Sequence, residues 1–149
     1  MLNKAVATGK PQCILLADDD EDDVFLFQEA LSETESVHKL TIARDGIEVI
    51  EVMSLPPVPD LIFLDINMPR KNGLECLAEI NLATDSNEIP VICLSTSQNI
   101  DVIEHARQLG AYGYIIKPST FKGYKSMIAD VLSKDWKTRS RFDFYHYEE

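Results

Sequence analysis

The sequence predicts an α/β fold in which a parallel sheet carries helices on both faces. Three observations lead there. Five short, largely apolar runs, at Cys13–Ala17, Leu40–Ala43, Leu61–Leu64, Val91–Ser95 and Tyr112–Ile116, read as strands, and Leu61–Leu64 has the unbroken character of one buried on both faces. Between them apolar residues return at helical spacing, giving βα units of about twenty residues each, the signature of right-handed parallel crossovers. Proline, glycine and acidic residues fall at the joins. A five-stranded doubly wound sheet of this size suits the flavodoxin-like strand order 2-1-3-4-5.

Each element has its own justification. Cys13 to Ala17 runs into the acidic stretch Asp18–Asp23, after which Val24, Phe27, Ala30 and Leu31 mark one face of a first helix. Leu40 to Ala43 is the second strand and Ile47 to Met53 the second helix, broken by Pro56, Pro57 and Pro59. The third strand, Leu61 to Leu64, ends near Asp65, because Pro69 cannot donate to a ladder. Leu74, Leu77, Ala78 and Leu82 mark a third helix, and Pro90 opens the fourth strand. Ile100, Ile103, Ala106 and Leu109 form a fourth helix, closed by Gly110. Tyr112 to Ile116 is the fifth strand. Tyr124, Met127, Ile128, Val131 and Leu132 mark the last helix.

The chain has 149 residues, 45% hydrophobic and 26% charged, as expected for one globular domain with its own core. Its net charge of −11 argues against a phosphate backbone or an anionic membrane surface as partner. No apolar run approaches a membrane helix, and Met1 to Gln12 lacks a signal-peptide core. A cytoplasmic protein is expected. Cys13, Cys76 and Cys93 have no paired spacing and are expected to be plain buried or half-buried thiols. His38, His105 and His146 are scattered, without ligand spacing, and are expected at the surface. Neither a Gly-rich dinucleotide fingerprint nor a P-loop is present.

In open α/β sheets the ligand crevice lies at the carboxyl ends of the strands. Asp18, Asp19 and Asp20 follow the first strand, Asp65 and Asn67 the third, Ser95, Thr96 and Ser97 the fourth, and Lys117 and Pro118 the fifth. In the predicted order these ends are neighbours. Carboxylates with a carbonyl suit Mg²⁺, and an ammonium with a hydroxyl suits a phosphoryl group. Asp20, Asp22 and Asp23 are assigned only to the solvated start of the first helix. Asp18, Asp20, Asp22 and Glu29 also occupy the ligand positions of a calcium loop. The glycine such a loop requires is replaced by Asp23, and a strand precedes it rather than a helix.

These residues resemble the receiver domain of two-component response regulators across Gln12 to Lys134. The resemblance rests on the acidic pair Asp18-Asp19 and on Leu64-Asp65-Ile66-Asn67-Met68-Pro69 followed by Gly73. It rests equally on Pro90 to Ser95 and on Gly110 to Pro118, in that order. Met68 to Gly73 with Leu94 to Ser97 is further similar to regulators partnered with phytochrome-like histidine kinases.

The resemblance implies that Asp65 accepts a phosphoryl group from a phosphohistidine on a histidine kinase or phosphotransfer protein. It implies Mg²⁺ held by Asp19, Asp65 and the Asn67 carbonyl, with Asp18 acting through metal-bound water. It implies that Ser95 and Lys117 bind phosphoryl oxygens, that the Lys117–Pro118 peptide bond is cis, and that Tyr114 turns inward as Ser95 moves. Such a protein is not a dedicated enzyme, although it catalyses its own phosphorylation and dephosphorylation. The alternative is a Mg²⁺-dependent aspartyl-phosphate hydrolase, which normally wants a second Asp where this chain has Asn67.

Residues 1–11 are read as a flexible arm, 12–134 as the receiver, and 135–149 as an aromatic tail that packs back on the domain or docks on a partner. So short a tail is no output domain, so output is expected to be contact with another protein. A homodimer through the fourth helix, fifth strand and fifth helix, near Ile100, Ile103, Tyr112 and Tyr124, is expected to be strengthened by the tail.

Overall fold

A computed structural model describes residues 13–35, 37–84, 89–136 and 142–146. The expected arm at residues 1–11 lies outside the described residues. The elements follow one another as β1 (Cys13–Ala17), α1 (Glu21–Ser32), β2 (Lys39–Ala43), α2 (Gly46–Met53), β3 (Leu61–Asp65) and α3 (Gly73–Thr84). Then come β4 (Val91–Ser95), α4 (Ile100–Gln108), β5 (Gly113–Ile116), α5 (Phe121–Leu132) and β6 (Asp143–His146). The sheet order is β2-β1-β3-β4-β5-β6, and every pairing is parallel. The doubly wound, flavodoxin-like class is as expected, but the sheet has six strands rather than five.

The extra strand comes from the tail. Asp143 to His146 pairs with Gly113 to Ile116, placing Phe144 opposite Tyr114. The described part of the aromatic tail, Asp143 to His146, therefore packs back on its own domain. Trp136, 2% exposed, is held against the end of α5 by donating its indole N–H to the Val131 carbonyl at 2.9 Å. Lys134 lies over the Tyr145 ring, 5.1 Å from its centroid.

Alternate strand residues build two cores. Ile14, Leu16, Leu61, Phe63, Ile92, Leu94 and Ile115 pack beneath α1 and α5 with Phe27, Tyr124 and Met127. Leu15, Ile62, Leu64, Cys93, Tyr114 and Ile116 pack on the other face with Val49, Cys76, Leu77 and Ala106 of α2, α3 and α4. The Phe27 ring meets Phe63 edge-on with centroids 4.9 Å apart. Tyr124 is thus a core residue between α5 and α1 and not part of the expected contact face. Leu82 is 85% exposed and does not belong to the buried face of α3.

The helix starts agree with the acids and hydroxyls in the sequence. Asp20 caps α1 by accepting from Asp22 and Asp23 N–H, Asp45 caps α2, Asn99 caps α4 and Thr120 caps α5. Gly110 has φ of +103°, the conformation expected just past a helix end. Cys76 and Cys93 are buried thiols and Cys13 is half-buried. His105 and His146 are exposed, whereas His38 is half-buried. Among the described residues no helix is long and apolar enough to cross a membrane.

Candidate functional site

The carboxyl ends of β1, β3, β4 and β5 meet as the strand order requires. Asp65 is the last residue of β3, and Leu94 pairs with it on β4, so Ser95 stands one step further on. Ile66 N–H donates to the Leu94 carbonyl at 3.1 Å and Lys117 N–H to the Ser95 carbonyl at 2.8 Å, carrying the ladder past the strands into the site. An open cavity of about 590 Å³ lies above, lined by Asp19, Asp23, Asp65, Asn67, Thr96 and Lys117 among others.

Carboxylate oxygens of Asp18, Asp19 and Asp65 all lie within 4.8 Å of one another. Three hard oxygen donors at that separation, one of them exposed, fit a divalent cation that keeps part of its water. Asp18 and Asp65 are buried, at 1% and 4% exposure. Each carboxylate also accepts a backbone N–H two residues on, from Asp20 at 3.0 Å and from Asn67 at 3.1 Å. These bonds orient one oxygen of each acid, and the other faces the Lys117 ammonium.

Lys117 is the cation of the cluster. Its ammonium lies 2.8 Å from Asp23, 3.0 Å from Asp18 and 3.3 Å from Asp65. Burial pushes the Asp65 carboxyl up to about 7; Lys117 opposes that shift and Asp18 adds to it. Asp18 is raised as well, chiefly by burial, against the Asp20 N–H bond and Lys117. Burial alone would lower Lys117, but its three carboxylates outweigh that and hold it well above its ordinary value. One ammonium stands against several buried or half-buried acids, an arrangement that a metal cation relieves.

The structure brings Asp18, Asp19, Asp65, Asn67 and Lys117 together as the sequence implies. Ser95 is 1% exposed, with its hydroxyl accepting from Ser97 N–H at 3.0 Å, while Thr96 takes the exposed position at the cavity. Asp23 was assigned only to the solvated start of α1, yet it makes the shortest bond to Lys117. Helical phase held the signal: position 23 shares a face with Phe27 and Ala30, which point inward. The Lys117–Pro118 bond is not cis; among the described residues the cis bond is Pro56–Pro57. Tyr114 already points inward, fully buried, with its hydroxyl donating to the Ser97 carbonyl at 3.0 Å and its ring stacked on Phe144.

The loop after Asp65 is pinned from both sides. Gly73 N–H donates to the Ile66 carbonyl at 2.8 Å, and a Cβ at Gly73 would sit 2.3 Å from the Asp65 carbonyl oxygen. Arg70 adopts a left-handed φ of +64° and pairs through its guanidinium with Asp45, the cap of α2. The partner carboxylate is nearly buried, so the pair ties the loop to α2.

Comparison with known proteins decides the family. The response regulator receiver domain matches residues 14–137. The chain belongs to the response regulator receiver domain family. This receiver is 36% identical over 132 residues to response regulator Rcp1 of Synechocystis sp., covering 85% of the chain and 90% of that protein. It is 31% identical to transcriptional regulatory protein MalR of Bacillus subtilis, covering 81% of the chain but 50% of MalR. The Mn²⁺-bound form of Rcp1 superposes with a TM-score of 0.76 at 34% identity, covering 88% of the receiver and 99% of that chain. The phosphorylated cyanobacterial phytochrome response regulator RcpA gives 0.76 at 33% identity, covering 87% and 96%. The receiver is a two-component response regulator domain; an aspartyl-phosphate hydrolase is not favoured, and Asn67 stands where its second acid would be.

Proposed function

We propose that Asp65 accepts a phosphoryl group from a histidine kinase or phosphotransfer protein in the cytoplasm, with Mg²⁺ held by Asp19, Asp65 and the Asn67 carbonyl. The observation that carries this is the meeting of Asp18, Asp19 and Asp65 within 4.8 Å beside the buried ammonium of Lys117. A carboxylate oxygen of Asp65 forms the new P–O bond as the P–N bond to the donor imidazole breaks, and the imidazole nitrogen keeps the electron pair. A divalent cation held by Asp19, Asp65 and the Asn67 carbonyl would supply charge neutralisation for the transferring group. Lys117 supplies a second cation and Ser95, by a short movement, a hydroxyl; positioning and charge are most of what this transfer requires. Asp18 would contribute to holding the cation through its bound water.

The reading is tested with acetyl phosphate and Mg²⁺, which should add one acid-stable, base-labile phosphoryl group. Asp65→Asn should remove it. Labelling of that variant at the wild-type level would exclude Asp65.

Signalling then passes to a downstream protein through a surface change at α4, β5 and α5, with Tyr114 as the residue that senses Ser95. Because β6 covers the β5 edge, that surface includes the tail, and a second copy of the chain is the expected partner there. The similarity to Rcp1 and RcpA supports a phytochrome-like histidine kinase as the donor.

A further inference from the structure

We propose that Asp23 is a positioning residue: it holds the Lys117 ammonium towards the cavity mouth in the unphosphorylated protein and gives it up when Asp65 is phosphorylated. This rests on the reading of Asp65 as the phosphoryl acceptor.

Three carboxylates surround Lys117, and they are not equivalent. Asp23 makes the shortest contact, 2.8 Å, and Asp65 the longest, 3.3 Å, although Asp65 is where the ammonium is needed once phosphoryl oxygens arrive. The side chains of Asp18 and Asp65 are 1% and 5% exposed, whereas that of Asp23 is 25% exposed. A buried carboxylate cannot lose its cation cheaply, but a half-exposed one can return to water. Asp23 also lies in the first turn of α1, where the helix dipole favours negative charge whether or not Lys117 is present. It is the one partner of the three that the ammonium can leave. A phosphoryl group adds charge beside Asp65 and draws Lys117 inward, and the bond that lengthens is the one to Asp23. Asp23 therefore opposes the phosphorylated state by the strength of its hold on Lys117.

Asp22 supplies the control. It occupies the adjacent position, carries the same charge and lines the same cavity, but makes no bond to Lys117. Calorimetric titration with beryllofluoride, a phosphoryl mimic, at saturating Mg²⁺ reads the phosphoryl-like state; titration with Mg²⁺ alone reads the metal. In the full chain, Asp23→Asn and Asp23→Ser should each bind beryllofluoride about threefold or more tighter than wild type, by linkage to the freed ammonium. Asp22→Asn should stay within about twofold of wild type, and Mg²⁺ affinity should move by no more than about twofold in any of them. Equal tightening in Asp22→Asn and Asp23→Asn would overturn the proposal, leaving only the charge of the mouth. Weaker beryllofluoride binding in both Asp23 variants would overturn it too, as would a change in Mg²⁺ affinity that matches the change for beryllofluoride. A wild-type protein that binds Mg²⁺ but no beryllofluoride would remove the reading of Asp65 itself, and the proposal with it.

Discussion

Asp65 carries a proton equilibrium that folding disturbs. Its carboxyl rises from 3.8 to about 7 on burial, so between those values the folded chain binds protons that the unfolded chain releases. Stability of the metal-free protein should therefore fall as pH rises through that window, the reverse of a salt-bridged carboxylate. Thermal melts in chelator from pH 4.5 to 7.5 check the sign. At pH 7.5, Asp65→Asn should be more stable than wild type by about 1–2 kcal/mol without metal. Millimolar Mg²⁺ should raise the melting temperature of wild type more at pH 7.5 than at pH 5, since protons and metal compete for the same oxygens. A wild-type curve indifferent to Mg²⁺ at neutral pH would count heavily against the metal site. Gly73→Ala is a test of packing at the same place. With Asp65 O only 2.3 Å from the added methyl, backbone must move, and a loss of about 2 kcal/mol or more is expected in urea unfolding.

At the scale of elements, the tail strand is the least obvious part of the structure and the easiest to remove. Phe144→Ala deletes the ring stacked on Tyr114 and should destabilise by about 0.5–1.5 kcal/mol, with faster amide exchange along Gly113–Ile116. Unchanged exchange there would mean that β6 does not protect β5 in solution. Strands β1, β3, β4 and β5 were legible because parallel strands covered on both faces leave little room for polar alternation, and Leu61–Asp65 and Val91–Ser95 are buried throughout; β2, a half-buried edge strand, was read from the short run Leu40–Ala43 between two helical patterns. Strand β6 was not, because Asp143, Phe144, Tyr145 and His146 alternate between half-buried and exposed and pair with only one neighbour. Its aromatics announced a docked tail without saying where. In the site, Asp18, Asp19, Asp65 and Lys117 could be read from strand ends alone. Asp23 could not, because six consecutive carboxylic residues look alike in sequence and only the phase of α1 selects which one faces Lys117.

Across the whole molecule, two separate cores lie on opposite faces of one sheet, and the site sits at the carboxyl ends of the strands they share. Movement of Ser95 or Lys117 is therefore felt by β4 and β5 together, with Tyr114 and Phe144 beyond them. Such a shift matters only if the surface has two arrangements close in energy. Sedimentation of the full chain should show dimer strengthened by beryllofluoride and Mg²⁺, and weakened when the chain is cut after Lys134. Monomer in all four samples would exclude a second copy as the partner and point to a different protein.

Trp136 is the sole tryptophan of the chain, sealed from water and 3.7 Å from where a side chain on Gly113 would begin. That makes the protein its own fluorophore. Its emission needs no deconvolution, and it reports from the joint where the last helix hands the chain towards the added strand. If signalling loosens that strand, the spectrum should shift to the red on activation, in real time and without a label.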